Sequence, residues 1–230
     1  MTNRQRIIIA IDGPAGAGKS TVAARLARRF HLLNLETGAM YRAFALKAIE
    51  CGVSPDDAEG LEQFAGTTAI RLESSPDGNR VFLDDVEVTS RLREPAVTEA
   101  ASRVSVHPAI RKWMVGLQRK LGEAGRIVME GRDIGSKVFP DADVKIFLDA
   151  DPEVRSQRRY EQIEATPATD KVAPESVLQE IRERDRRDRT RATSPLQPAE
   201  DAIVIDSTSL TLDEVIESVE KIISERLALA

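Results

Sequence analysis

Gly13-Pro14-Ala15-Gly16-Ala17-Gly18-Lys19-Ser20 fits the spacing Gly-x4-Gly-Lys-[Ser/Thr], and this octapeptide limits the fold more than any other stretch. Glycines let a backbone curl until successive N–H groups face one anion. A helix opening near Lys19 adds unsatisfied N–H groups and the positive end of its dipole. A lysine in that place reaches β- and γ-phosphates, and the Ser20 hydroxyl can ligate Mg2+. The flanks agree. Ile7–Ile11 is a β-branched run without polar alternation, as in a strand buried on both faces. Ser20–Phe30 carries Val22, Leu26 and Phe30 at helical spacing. A plain glycine turn between strand and helix is the structural alternative, but it gives no reason for Lys-Ser at the helix start. Gly13, Pro14, Ala15, Gly16, Ala17, Gly18, Lys19, Ser20 and Thr21 are therefore the expected ATP-binding residues, with Ser20 as the metal ligand.

The rest of the chain keeps a strand–helix rhythm. Leu32–Leu35, Ile127–Met129, Val144–Leu148 and Ile203–Ile205 are further buried-strand candidates. Gly38–Cys51, Glu94–Val106, Pro108–Ala124, Val154–Ala165, Pro174–Arg191 and Leu212–Leu227 carry helical patterning, with a polar turn at Thr166–Lys171. Ala69–Val88 differs. Ile70 and Leu72, then Val81 and Leu83, alternate with polar residues around a turn-rich Ser74–Asn79, which predicts two or three short antiparallel strands. The expected fold is α/β: a three-layer P-loop fold with a five-stranded parallel sheet, a small antiparallel β-insertion and a helical lid.

Bulk properties narrow the class. A chain of 230 residues, 41% hydrophobic, suits one compact domain with a small insertion. A net charge of −5 argues against a general nucleic-acid binder. One cysteine excludes an internal disulfide framework and a multi-cysteine metal cluster. Cys51 lies in the apolar-rich stretch Ala43–Val53 and is expected to pack as a small hydrophobe. His31 and His107 are isolated. No apolar run approaches the roughly 20 residues of a membrane span, and Ile7–Ile11 is too short for a signal peptide. A cytoplasmic monomer without membrane or nucleic-acid partners is expected.

A nucleotide loop alone does not separate kinase from switch or motor. No Asn-Lys-x-Asp segment for guanine is present, and Asp149 at the end of Val144–Leu148 is followed by Ala150 rather than Glu. A small-molecule kinase must hold two anionic substrates together, which calls for arginines beyond the loop. Three segments supply them. In Glu36-Thr37-Gly38-Ala39-Met40-Tyr41-Arg42, a hydroxyl and a guanidinium at a strand-to-helix turn could grip a monophosphate; a helix cap and a solvated arginine are the bland reading. Glu130-Gly131-Arg132-Asp133-Ile134-Gly135 follows a strand, at the sheet edge where such folds bind ligands; there Arg132 could pair with phosphate and Asp133 accept from an exocyclic amine, or both could form a salt bridge within a turn. In Glu183–Arg191, helical spacing puts Arg184, Asp188 and Arg191 on one face, as a site or as a solvated, ion-paired surface.

Together these segments resemble the bacterial cytidylate kinases, within the nucleoside monophosphate kinase group. The likeness is carried by Ile11–Ser20, Thr37-Gly38-Ala39-Met40-Tyr41-Arg42, Gly131-Arg132-Asp133-Ile134-Gly135, Val138-Phe139-Pro140-Asp141-Ala142, Lys145–Ala150, Arg184–Arg191 and Asp206-Ser207-Thr208. It implies transfer of the γ-phosphoryl group of ATP, with Mg2+, to CMP or dCMP. It also implies a core at about 1–36, 107–152 and 190–230, a monophosphate-binding region with the β-insertion at about 37–106, and a lid at about 153–189. By the resemblance, Thr37 and Arg42 contact the CMP phosphate. Ser102, Arg111, Gly131, Arg132 and Asp133 lie on the cytosine side or nearby phosphate. Arg184, Asp188 and Arg191 hold the pentose and the transferring group, and Arg158 clamps phosphate. Lys19, Arg132, Arg158, Arg184, Asp188 and Arg191 form the implied catalytic set. The chain departs from the family pattern at Thr37, where serine is common, and at Ser20, where glycine is common; both changes keep or add a hydroxyl. A kinase for UMP or for a non-nucleotide acid, and an ATP-binding regulatory or RNA-associated protein, are the competing readings. The arginine-dense lid is expected to pack weakly until polyphosphates neutralise it.

Overall fold

The structure, a computed structural model, describes residues 6–75, 78–165 and 172–228, so the expected turn at Thr166–Lys171 lies outside the described residues. Its centre is a parallel sheet of β1 (Ile8–Asp12), β2 (Leu33–Glu36), β6 (Ile127–Gly131), β7 (Val144–Asp149) and β8 (Ile203–Asp206), in the order β2-β6-β1-β7-β8. Side chains alternate across each strand. Ile9 and Ile11 face one layer, where α1 (Lys19–Phe30) and α8 (Leu212–Ala228) contribute Val22, Leu26, Val215 and Val219. Ile8, Ala10, Ile127 and Met129 face the other, against Ile134, Val138 and Phe139. The three-layer α/β expectation holds.

Four helices begin on a proline at their first positions: α4 (Pro95–Val104), α5 (Pro108–Leu121), α6 (Pro152–Glu164) and α7 (Pro174–Thr190). Proline is pre-set for a first turn, where its missing N–H would be unpaired anyway. The β-insertion is an antiparallel sheet of β3 (Ile70–Ser75), β4 (Gly78–Leu83) and β5 (Val86–Glu87). Val81 and Leu83 pack on Ala43 and Leu46 of α2 (Thr37–Glu50).

Two features depart from expectation. An additional helix, α3 (Ala58–Ala65), is capped by Asp57, whose carboxylate accepts from the Gly60 N–H at 3.0 Å; it buries Leu61 and Ala65. Cys51 is exposed rather than packed. It is the C-terminal cap of α2, where the chain leaves the buried face that Ala45 and Ala48 share.

Candidate active site

The phosphate loop joins β1 to α1 beyond the carboxyl end of the central strand. Gly13 has φ +146°, and a Cβ there would meet Leu148 O at 2.0 Å, so only glycine fits. Gly18, at φ 89°, opens α1 in the left-handed region. Lys19 is buried and donates from Nζ to Pro14 O at 2.7 Å. Burial, with Arg132 and Arg184 nearby, pulls its pKa down to about 7 against the opposing pull of Glu130 and Asp12. Ser20 donates its hydroxyl proton to Glu130 Oε1 at 2.6 Å, which leaves the oxygen lone pairs of Ser20 for a cation. Burial holds the Glu130 carboxyl above its usual range, against the lowering influence of Lys19. No cluster of three acidic, histidine or cysteine ligands occurs among the described residues. One hydroxyl backed by one carboxylate fits Mg2+, which keeps waters and takes substrate phosphate oxygens for most of its shell.

Asp12 occupies the last position of β1. Its two carboxylate oxygens accept from the Ile134 and Gly135 N–H groups at 2.8 Å each. Burial lifts its pKa to about 7, although those two bonds work against the shift. The phosphate loop is thereby tied to the Gly131–Gly135 turn.

The residues expected on the acceptor side come from three elements. Thr37, first residue of α2, donates from Oγ1 to Glu130 O at 2.8 Å. A Cβ on Gly131 would fall 2.7 Å from that hydroxyl oxygen. Arg42 pairs with Glu36, the N-cap residue of α2 six positions earlier. Arg111, on α5, donates to Ser105 O at 3.1 Å and to Asp133 Oδ2 at 2.5 Å; both side chains of this ion pair are buried, at 3% and 7% exposure. Thus Asp133 pairs with Arg111, whereas Arg132 pairs with Asp188, and the adjacent residues do not pair with each other as the turn alternative would have it.

On the far side, Arg132 Nε donates to Asp188 Oδ2 at 2.9 Å and Arg191 Nη1 to Asp188 Oδ1 at 3.4 Å. Burial acts to raise the Asp188 pKa, but Arg132, Arg184 and Arg191 outweigh it and keep the carboxyl below its usual range. Arg191 lies one residue past α7, with extended backbone, and still reaches Asp188. Burial and Arg132 bring Arg184 down to about 10. Arg158 lies elsewhere: its guanidinium donates to Ser207 Oγ at 3.0 Å and to Ser207 O at 2.7 Å. A cleft of about 910 Å3 opens between α4 and α7, with Ser102, Glu99, Gln179, Arg184 and Arg187 on its walls.

The unsatisfied buried polar atoms gather here. Among the described residues they are Ser102 Oγ and Arg42 Nε, Arg111 Nε, Arg184 Nε and Arg191 Nη2, on residues that the sequence pointed to, together with Arg187 Nε and Asn34 Oδ1, on residues it did not. Buried donors are normally paired, so this concentration is the mark of a place built to receive a polar, anionic ligand.

Sequence reasoning left several contributors without a role. Asp12 and Glu130 had a legible signal, a carboxylate at the end of an otherwise apolar buried strand. Asn79 on β4 had none. It donates from Nδ2 to Asn34 O at 2.7 Å and accepts from the Glu36 N–H at 3.1 Å, clasping the edge strand just before Thr37. Carboxylates offset part of the charge on the α6–α7 arginines: Arg155 pairs with Asp185, Arg182 with Glu153, Arg186 with Glu183, and Arg189 with Asp149 at the end of β7.

A family model described as cytidylate kinase matches residues 9–225. A cytidylate kinase of Solibacter usitatus (strain Ellin6076) is 46% identical over 226 residues, covering 98% of this chain and 96% of that protein. One of Pelotomaculum thermopropionicum is 50% identical over 212 residues, covering 92% and 93%. The solved structure of an uncharacterized protein from Eubacterium ventriosum ATCC 27560 superposes with a TM-score of 0.52 at 15% identity, over 95% of this chain and 99% of that one, a likeness of fold alone.

Proposed function

The chain belongs to the cytidylate kinase family, and from that premise we propose that it transfers the γ-phosphoryl group of ATP to CMP or dCMP, giving ADP and CDP or dCDP. The observation that carries the residue assignment is the set of buried polar side-chain atoms without a partner on Arg42, Ser102, Arg111, Arg184 and Arg191.

The loop 13–21 takes the donor phosphates. Lys19 leaves Pro14 O for the transferring phosphoryl group and carries a full positive charge once polyphosphate surrounds it. Ser20 would hold Mg2+, with Glu130 orienting its hydroxyl, and would thereby bring in charge neutralisation for the donor phosphates. Thr37 and Arg42 take the acceptor phosphate; Ser102, Arg111 and Asp133 take cytosine; Asp188 takes the sugar while presenting Arg132 and Arg191 to the phosphates, beside Arg184. No general base is needed, since the acceptor phosphate oxygen is already anionic. Catalysis rests on positioning and charge neutralisation. In this reading 1–36, 107–152 and 190–230 form the core, 37–106 the acceptor region and 153–189 a lid that closes to exclude water. Arg158 clamps donor phosphate only after releasing the Ser207 loop. No helix among the described residues is long and apolar enough to cross a membrane; a monomer acting in the cytoplasm on small molecules, without nucleic acid, completes the proposal.

A coupled ADP-release assay across CMP, dCMP, UMP, AMP, dTMP and shikimate tests the reading. Release with cytidine monophosphates is expected. No release with either, or a preference for shikimate, overturns it.

A further inference from the structure

Arg155, in the first turn of α6, is only 1% exposed and heads the largest fully buried side chains of the described residues. Burying a charge is costly unless it is paired and hydrogen-bonded, and this one is. Nε donates to Ala150 O at 2.7 Å, Nη1 to Ala15 O at 3.0 Å and to Asp185 Oδ1 at 3.2 Å, and Nη2 to Asp185 Oδ2 at 2.5 Å. One guanidinium thus joins the phosphate loop, the β7–α6 connection and α7.

The bond to Ala15 bears on the donor site. A trans peptide is planar, so its C=O and N–H point in opposite directions. Holding Ala15 O on Arg155 turns the Gly16 N–H away from α6. A phosphate loop works only if its N–H groups converge on the anion, so the orientation of this peptide matters directly to donor binding. The backbones also abut: Gly16 has φ +77°, and a Cβ there would lie 3.0 Å from Arg155 O and 3.1 Å from Arg155 Cβ. At the other end, Asp185 follows Arg184 and lies three residues before Asp188 on the same helix. A fully apolar side chain could fill the space, but it could not fix the peptide.

We propose that Arg155 is a positioning residue for the donor-phosphate loop: it sets the 15–16 peptide for phosphate and, through Asp185, couples the loop to α7. The proposal rests only on the phosphate-loop part of the reading above.

The test is calorimetric titration of the full chain with a non-hydrolysable ATP analogue in Mg2+, and separately with CMP, for the wild type and for Arg155→Lys, together with each protein's thermal midpoint. Lysine keeps the charge but is shorter and lacks the planar fork, so one ammonium cannot replace the four bonds to Ala150 O, Ala15 O and both Asp185 oxygens. Analogue affinity is expected to fall roughly tenfold or more, with CMP affinity within about twofold. A lower midpoint with both affinities unchanged, or with both lowered alike, assigns Arg155 to stability only and overturns the proposal. If Arg155→Lys does not fold, Asp185→Asn decides: a loss of roughly threefold to tenfold for the analogue that exceeds the loss for CMP supports the coupling, and an unchanged analogue affinity overturns it. A wild type that binds the analogue but not CMP would defeat the kinase reading and leave this proposal standing.

Discussion

Arg132 and Asp188 form an ion pair between two distant segments, with Arg132 Nε donating to Asp188 Oδ2 at 2.9 Å. The contact ties the turn after β6 to the end of α7, and Asp188 also holds Arg191. Two guanidiniums are thus presented by one carboxylate. Asp188→Asn keeps the size but removes the charge that sets both. We expect kcat/KM for CMP to fall roughly ten- to a hundredfold while the affinity for an ATP analogue in the absence of CMP stays near wild type. Steady-state kinetics with CMP varied and analogue titration check this; an unchanged kcat/KM would assign the pair to stability.

Lys19 provides a pH prediction with a definite sign. Its pKa is about 7 here against an ordinary 10.5, so near and above neutrality a large fraction of the empty protein carries it uncharged. Bound polyphosphate restores the charge. Donor binding should therefore take up a proton, and donor affinity should weaken as pH rises from about 7, by at most tenfold per pH unit for one group. Asp12 titrates in the same range, so Lys19→Met is the control that separates them. Calorimetry in buffers of different ionisation enthalpy would read proton uptake in the wild type and its loss in the variant. The variant should also lose roughly a hundred- to a thousandfold in turnover.

Asp133→Ala would leave Arg111 charged and unpaired in a buried site. The expected cost is about 3–5 kcal/mol of stability, read by urea unfolding, and a large rise in KM for CMP with little change for ATP. Equal losses for both nucleotides would mean that the Arg111–Asp133 pair only supports the fold.

Asn79 joins the β-insertion to the strand that leads into Thr37. Its amide bonds Asn34 O and the Glu36 N–H on β2, an edge strand of the parallel sheet. Loss of two partly buried hydrogen bonds in Asn79→Ala should raise KM for CMP roughly five- to tenfold and leave KM for ATP in place. The side chain is only half-buried, so the variant should fold. Rescue by Asn79→Gln is not expected, because the longer arm misplaces the amide.

Hydrogen exchange addresses the helix pair. If α6 and α7 form a lid, their amides should exchange several-fold more slowly with a bisubstrate analogue than without ligand. Protection confined to Gly13–Ser20 would refute closure. The interleaved ion pairs make the empty pair better packed than its arginine content alone implies, so the change should concentrate at the α7 end that carries Arg184 and Asp188.

What the sequence determined by itself was local. A β-branched run, a glycine loop and Lys-Ser specify strand, anion cradle and helix because all three act within about 25 residues. Prolines mark four helix starts, and two-residue alternation marks the insertion. Of the residues bearing unpaired buried donors, Arg42, Arg184 and Arg191 were legible from their own segments, whereas Ser102 and Arg111 were reached only through the family resemblance. What only the tertiary structure decided was partnership. Ser20 meets Glu130 across 110 residues, Arg132 meets Asp188 across 56, and Arg155 meets Ala15 across 140. Such pairs exist because the strand order β2-β6-β1-β7-β8 brings the carboxyl ends of β1 and β6 side by side and folds α6 and α7 over them. A charge reads the same in a sequence whether it faces water or a buried carbonyl; the free energy of its burial is settled only when the partner arrives.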